Sequence, residues 1–140
     1  MFNQDYIMRQ VQQMTRVLSK ILIQALKLKE SESASEIVNY TNETLKEELN
    51  FDIDEFSLIL EQKGVRYFID EKNFNNENLN IFADILFELA EQCFEDLSNH
   101  QQSLKMYSQS LLIYEFNEAE EKTYSIDRNV KISKIKNILE

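Results

Sequence analysis

The sequence contains no proline, and Gly64 is the only glycine among its 140 residues. Proline interrupts helix interiors, glycine weakens them, and both residues mark the tight turns of sheet proteins. A chain that nearly lacks both, and is rich in leucine, isoleucine, glutamate and lysine, is predicted to consist of helices joined by short polar turns. We therefore predict an all-α fold without a sheet.

Length and composition predict one helical domain over residues 1–140. The chain has room for a single core, and hydrophobic residues make up 43% of it, which argues against wholesale disorder. The lone Cys93 excludes an intramolecular disulfide and fits a reducing compartment, so we expect a cytoplasmic protein. The N-terminus does not have the pattern of a signal peptide, and no apolar run approaches the ~20 residues that span a bilayer. A membrane partner is not expected.

The net charge of −10 is unevenly distributed along the chain. Residues 1–29 contain five bases and one acid, residues 30–124 contain 22 acids and six bases, and residues 125–140 contain four bases and two acids. Two basic ends therefore flank an acidic middle. Nucleic acid is not an expected partner, because affinity for phosphate requires clustered lysine and arginine.

Residues 1–30 are predicted to form a basic amphipathic helix. Apolar residues recur there at alternating spacings of four and three over three heptads. This apolar stripe comprises Ile7, Val11, Met14, Leu18, Ile21, Ala25 and Leu28. Arg9, Arg16, Lys20 and Lys27 lie roughly opposite the stripe. We expect the stripe to be buried from Ile7 to Ile21; the alternatives are a partner-binding surface and a helix that lies on a membrane.

Residues 31–75 are predicted to form short helices. Ser33 and Glu36 have the spacing of a capping box, and Asp52 or Asp54 is expected to cap a further short helix. Gly64 stands where that helix would end in the left-handed conformation. The segment that follows, residues 65–80, has the least regular pattern.

Residues 76–140 are predicted to form longer helices at about 78–97, 101–116 and 118–139. The last segment is either one helix or two helices separated near Ser125. Periodicity places Cys93 and Leu97 on the inward face of the first of these helices, and Leu139 on that of the last.

The helices predicted at 78–97 and 101–116 resemble a tetratricopeptide repeat, a 34-residue helix–turn–helix unit. The matching positions are Leu86, Leu89 and Ala90 in the first helix, and Ser103, Tyr107 and Ser110, the small–aromatic–small positions, in the second. The turn has one extra residue, and the closing proline of the repeat is missing. The resemblance implies an antiparallel helical array or α-α superhelix.

The N-terminal sequence from Asp5 to Gln10, DYIMRQ, carries a second resemblance. Together with the apolar stripe, it resembles the opening of an uncharacterised family of small bacterial all-helical proteins with a tetratricopeptide-like C-terminal half. The resemblance covers most of the chain, including the segment 56–64. It implies the same fold and no particular activity.

No catalytic, cofactor-binding or metal-binding constellation is recognisable in the sequence. His100 has no glutamate three residues before it, as a di-iron bundle would require, and Cys93 with His100 is too few ligands for zinc. A single glycine excludes a glycine-rich phosphate loop. We expect a buried structural thiol at Cys93, a solvated or capping His100, no cofactor and no enzymatic activity.

The remaining candidate is a protein-interaction surface. In tetratricopeptide proteins the first helix of each repeat lines a concave groove, so the resemblance implies a groove along the outward face of the helix at 78–97. The residues on that face are Asp84, Phe87, Glu88, Glu91, Phe94 and Glu95. Acids interleaved with phenylalanines suit a basic amphipathic helix.

The sequence itself supplies such a basic helix in residues 5–29, with Arg9, Arg16 and Lys20 on its outer face. We expect this helix to lie against the acidic helices of its own chain or of a second copy, in a homodimer. The function expected is a non-enzymatic interaction module with an unknown partner. The alternative is a small-ligand-binding protein or an enzyme whose site is built from acids and tyrosines.

Overall fold

Residues 2–140 form seven α-helices and no strand, which confirms the all-α prediction. The structure is a computed structural model that describes the backbone of this range and the side chains from residue 4 onward. The helices are α1 (Phe2–Leu28), α2 (Ala34–Leu49), α3 (Ile53–Lys63), α4 (Arg66–Lys72), α5 (Asn76–Phe94), α6 (His100–Glu120) and α7 (Ile126–Leu139), with a 3-10 turn at Leu97–Asn99 before α6.

Helix starts follow the predicted capping residues. Ser33 caps α2, because its hydroxyl oxygen accepts a hydrogen bond from the Glu36 N–H at 3.2 Å, and the same hydroxyl lies 3.1 Å from the Glu36 carboxylate. Asp52, rather than Asp54, caps α3. There the reciprocal capping box is complete, since the Asp52 side chain accepts from the Glu55 N–H and the Glu55 side chain accepts from the Asp52 N–H.

Helix α3 ends at Gly64, as predicted, but not in the left-handed helical conformation. Gly64 has φ 83° and ψ 174°, a combination that is essentially restricted to glycine, and its N–H donates to the Leu60 carbonyl. The left-handed C-caps are instead Asn50 after α2 and Asn73 after α4. Asparagine tolerates this conformation better than most residues with a side chain.

The structure decides two segments that the sequence pattern left open. The irregular stretch 65–80 contains the short helix α4, closed by Asn73, and the start of α5, capped by Asn75. The segment predicted at 118–139 is two helices, because α6 continues to Glu120 and α7 begins only after Ser125, whose hydroxyl accepts from the Arg128 N–H.

The antiparallel pair of α5 and α6 is the centre of the fold. A ladder of three side-chain hydrogen bonds repeats every seven residues along the pair. In each bond an α6 side chain donates to an α5 carbonyl: Asn117 to Asn76 at 3.0 Å, Ser110 to Ala83 at 2.9 Å and Ser103 to Ala90 at 2.7 Å. Small residues on both helices allow this close approach, and the bonds satisfy the polar groups that it buries.

Helix α1 packs against α5 and α2 through the middle of its apolar stripe. Met14, Leu18 and Ile21 are buried in the common core, with Leu18 and Ile21 fully covered. Asn78 of α5, also fully buried, ties the two helices together, because its amide donates to the Val11 carbonyl and its side-chain oxygen accepts from the Thr15 hydroxyl. The prediction that the stripe is buried holds from Met14 onward.

The prediction is wrong for the N-terminal end of the stripe. Ile7 retains 41% of its surface, because the first turns of α1 extend past the N-terminal end of α5. Leu97 is also not inward: α5 stops at Phe94, and Leu97 falls in the 3-10 turn with 95% of its surface exposed. Leu139, at the last turn of α7, is 37% exposed and lies outside the core.

Candidate interaction surfaces

Two lysines of α7 reach the acidic face of α5 in the same chain. Lys131 of α7 donates to Asp84 at 3.1 Å, and Lys134 donates to Glu91 at 2.5 Å. Phe87 lies between the two acids on α5 and is only 5% exposed. Both lysine ammonium groups sit near its ring, at 5.5 Å and 5.7 Å from the centroid, within the range of a cation–π contact.

The same two acids accept hydrogen bonds from buried tyrosines of α6. The Tyr107 hydroxyl donates to Glu91 at 2.9 Å, and the Tyr114 hydroxyl donates to Asp84. Burial raises the pKa of both phenols, and the neighbouring carboxylates raise it further. The phenols therefore remain protonated as hydrogen-bond donors. Two tyrosine–carboxylate–lysine units thus repeat one heptad apart along α5.

Glu88 lies between these two units and has no ion pair among the residues described. It is half-buried, and burial raises the pKa of its carboxyl, assisted by the charges of Glu91 and Asp84. Lys29, just past α1, and Lys131 act in the opposite direction. Glu88 is therefore the least well compensated acid of the set.

The last two predicted residues lie where α5 ends. Phe94 is half-buried and packs edge-on against Tyr107, with ring centroids 6.0 Å apart. Its ring is tilted against that of His100, with centroids 5.0 Å apart. Nδ1 of His100 lies 3.1 Å from the Phe94 carbonyl, which fits the predicted capping role. Glu95 is exposed. Cys93 is buried, as predicted, and burial raises the pKa of its thiol.

On the outward face of α5, where we predict a groove, Asp84, Phe87 and Glu91 therefore meet side chains of α7, while Glu95 stays exposed. A basic helix does lie against this face, but it is α7 and not residues 5–29. The reason is the angular position of the lysines around α7. Lys131 and Lys134 each precede a buried isoleucine of α7 by one residue, so packing Ile132 and Ile135 brings both lysines to the acids.

The bases of α1 point in a different direction. Arg16 and Lys20 lie about 160° around the helix from Leu18, so burying Leu18 turns them to solvent. Arg9, Arg16 and Lys20 are all exposed, and none takes part in an ion pair among residues 4–140. These three predicted interaction residues are accessible to solvent, whereas in the α5 set only Glu95 is exposed, Phe87 is buried and the other four are half-buried.

The N-terminal end of α1 carries an exposed apolar surface, which we call the α1 overhang (residues 4–11). Tyr6 is 63% exposed, Met8 60% and Ile7 41%. A shallow groove of about 590 Å³ runs along it, lined by Ile7, Met8 and Val11 and bounded by Asn75 at the start of α5. The apolar stripe thus continues for one heptad beyond the elements that cover the rest of it.

Two further features are not recognisable from the sequence pattern. The first is Arg128 of α7, which is 3% exposed and donates from Nε to Glu118 at 2.6 Å and from Nη1 to Asn80 at 3.3 Å. The hydrogen bond from Arg128 lowers the pKa of Glu118. This contact fastens the start of α7 to α6 and α5. A lone arginine in a polar segment gives no signal of burial.

The second feature is a partly open cavity of about 360 Å³, which we call the aromatic cavity. It is bounded by α1, by α3 and by the ends of α2 and α4. Four phenylalanines that are scattered over 24 positions line it: Phe51, Phe56, Phe68 and Phe74. Each could be assigned separately to a core, but their convergence depends on the tertiary packing of two short helices and two turns.

Comparisons with protein-family models, with curated proteins and with solved structures found no match to this chain. None of the helices described is both long enough and apolar enough to cross a bilayer. Within the same residues, no three histidine, cysteine or acidic side chains converge as metal ligands would.

Proposed function

We propose that this chain is a non-enzymatic helical protein–protein interaction module that associates with a second copy of itself through α1. The observation that carries the proposal is the α1 overhang. Its Ile7 continues a stripe that is buried from Met14 to Ala25, and exposed apolar surface on a small domain is commonly covered by association. The cytoplasm is the compartment we propose for it.

Charge supports a second copy as the occupant. Arg9 and Arg16 extend the overhang as a basic surface without ion pairs among the described residues, while Glu43, Glu47 and Glu48 present exposed acids on α2. In a two-fold dimer each copy offers both surfaces, so the contact between α1 of one copy and α2 of the other occurs twice. Exposed ion pairs contribute only ~0–1 kcal/mol each, so the apolar contact supplies affinity and the charges supply orientation.

A tetratricopeptide-like arrangement of α5 and α6 forms part of the proposal. It is supported by the burial of Ser103, Tyr107 and Ser110 against α5, at the small–aromatic–small positions. Helix α7 would then be the terminal helix of the array, packed against α6 through Ile132 and Ile135. Kinship with the small bacterial helical family that shares the DYIMRQ opening is likewise a proposal.

The alternative, a ligand or catalytic site of acids and tyrosines, would have to use the two tyrosine–carboxylate–lysine units. In both units the carboxylate already accepts from a phenol and from a lysine, and α7 lies above them. The accessible α1 overhang therefore favours the interaction module as the leading proposal.

Sedimentation velocity at micromolar concentration, in low and in high salt, tests the self-association. We expect a dimer that persists in high salt, because the contact is mainly apolar. Ile7→Asp should yield a monomer. Ile23→Asp is the matched control, since Ile23 is exposed on the outer face of the same helix, and it should remain dimeric.

Circular dichroism melts should show both variants folded, since both side chains are accessible to solvent. A wild-type monomer at both salt concentrations would refute the dimer. Dissociation by Ile23→Asp but not by Ile7→Asp would refute the overhang as the contact.

A further inference from the structure

The aromatic cavity has the composition of a small-molecule site. Its volume of about 360 Å³ falls within the ~300–1,000 Å³ typical of ligand pockets, which are mostly apolar with a few polar groups that fix orientation. Phe56, Phe68 and Phe74 form one packed aromatic group: Phe56 stacks on Phe68 at 4.1 Å between centroids, and Phe74 meets Phe68 edge-on at 5.4 Å. Phe51 is half-buried and completes the wall.

Three polar residues stand at the mouth of the cavity: Asn50, Glu55 and Lys72. Glu55 is already engaged, because Lys46 donates to it at 2.7 Å and its carboxylate completes the capping box of α3. The exposed Lys72 has no ion pair among residues 4–140, and the Asn50 side chain makes no hydrogen bond among them. The mouth therefore offers one uncompensated cation and one free amide.

A second, more polar cavity of about 420 Å³ adjoins the first and shares Asn50 and Lys72 with it. Glu47 and Glu48 line this outer cavity on the side of α2. Lys72 thus stands at the boundary, where an apolar molecule that fills the aromatic cavity would place its polar head.

We propose that the aromatic cavity binds a small aromatic or short-chain aliphatic carboxylic acid, with its apolar body against the half-buried Phe51 and Ile59 and its carboxylate at Lys72 and Asn50. The proposal assigns the chain a ligand in addition to a protein partner. The aromatic cavity lies within one chain, but Glu47 and Glu48 of the outer cavity belong to the surface that we propose meets α1 of a second copy.

A pair of probes that differ only in charge tests this assignment. Phenylbutyrate and phenylbutylamine carry the same apolar body, and binding is measured by calorimetry and by amide chemical shifts of the full chain. We expect phenylbutyrate to bind with a Kd on the order of 1 mM or tighter, as suits a ligand of this size, and to shift the amides of Asn50 and Lys72. We expect phenylbutylamine to bind about fivefold more weakly, because an exposed ion pair contributes at most ~1 kcal/mol. Phenylbutyrate binding is measured on the Ile7→Asp variant as well as on the wild type, so that failure of one proposal is distinguishable from failure of the other.

Two variant pairs locate the site. Lys72→Gln should weaken phenylbutyrate about two- to fivefold, whereas Lys122→Gln, another exposed lysine without a described ion pair, should not. Ile59→Trp places an indole at the cavity wall and should abolish binding, whereas Leu58→Trp adds the same group at an exposed neighbouring position and should leave binding intact.

The lysine pair keeps the test valid even if the Ile59 variant loses stability. Equal or tighter binding of the amine would overturn the proposal in favour of a site governed by Glu47 and Glu48. Absence of phenylbutyrate binding at about ten times the expected Kd, or binding unchanged by both Lys72→Gln and Ile59→Trp, would also overturn it.

Discussion

At the scale of single residues, charge compensation is unequal within the acidic face of α5. Asp84 and Glu91 each accept from a tyrosine and a lysine, whereas Glu88 between them has neither. Because burial raises the pKa of Glu88, the folded protein holds a proton there more tightly than the unfolded chain does. Ionised Glu88 therefore lowers the stability of the fold at neutral pH.

Glu88→Gln should increase the free energy of unfolding at pH 7. The gain should shrink as the pH falls through the folded-state pKa and disappear below the ordinary value of 4.5, where Glu88 is protonated in both states. Urea unfolding at several pH values measures this dependence. Glu95→Gln, which changes an exposed acid on the same side of α5, is the control, and a gain for Glu88→Gln that is independent of pH would contradict the explanation.

At the scale of elements, α1 divides into two parts although its sequence pattern is uniform. Leu18 and Ile7 occupy equivalent positions in the same apolar stripe, yet Leu18 has no exposed surface and Ile7 keeps 41% of its own. The difference arises from where the neighbouring helix begins. Because α5 starts at Asn76, level with the second turn of the stripe, no element covers the first.

Leu18→Ala should therefore lower the free energy of unfolding by ~2–5 kcal/mol, the usual cost of a large-to-small change in a packed core. Ile7→Ala, in the same helix and the same stripe, should cost less than ~1 kcal/mol in the monomer. Urea titration compares the two variants at a protein concentration below the Kd of the proposed dimer. Similar losses would mean that the overhang is covered within one chain.

At the scale of the whole molecule, the uneven charge is partly neutralised by folding. The basic C-terminal segment returns onto the acidic middle as α7, which buries only three side chains: Arg128, Ile132 and Ile135. Ile138 also packs against the core, and the other contacts include several ion pairs. These include Lys131 with Asp84, Lys134 with Glu91 and Lys136 with Glu115. Arg9, Arg16 and Lys20 of α1 stay exposed and take part in no ion pair among residues 4–140.

Because several ion pairs join it to α5 and α6, α7 should be the helix whose docking depends most on salt. The screening length falls from about 10 Å at 0.1 M salt to about 3 Å at 1 M, which weakens exposed pairs first. We expect amide hydrogen exchange in α7 to accelerate at 1 M salt while α5 and α6 stay protected. Equal protection of α7 at both salt concentrations would show that Ile132 and Ile135 alone hold it.

The sequence by itself determined the helical class, most helix ends and the identity of the core face. These features depend on local chemistry: the absence of proline, the capping side chains Ser33 and Asp52, the stop at Gly64 and the 3.6-residue period of apolar residues. A side chain and the backbone within four positions of it suffice to decide them.

Only the tertiary structure decided which surfaces are free. Periodicity shows which face of a helix is apolar, but it does not show how far the neighbouring helix extends, so Ile7 and Leu97 were assigned to the core incorrectly. Charge likewise indicates that a basic helix will meet an acidic one, but not which of two. The choice of α7 over α1 depends on the angle between lysines and isoleucines on a docked helix, and the aromatic cavity depends on four distant phenylalanines that meet only when α3 and α4 pack against α1.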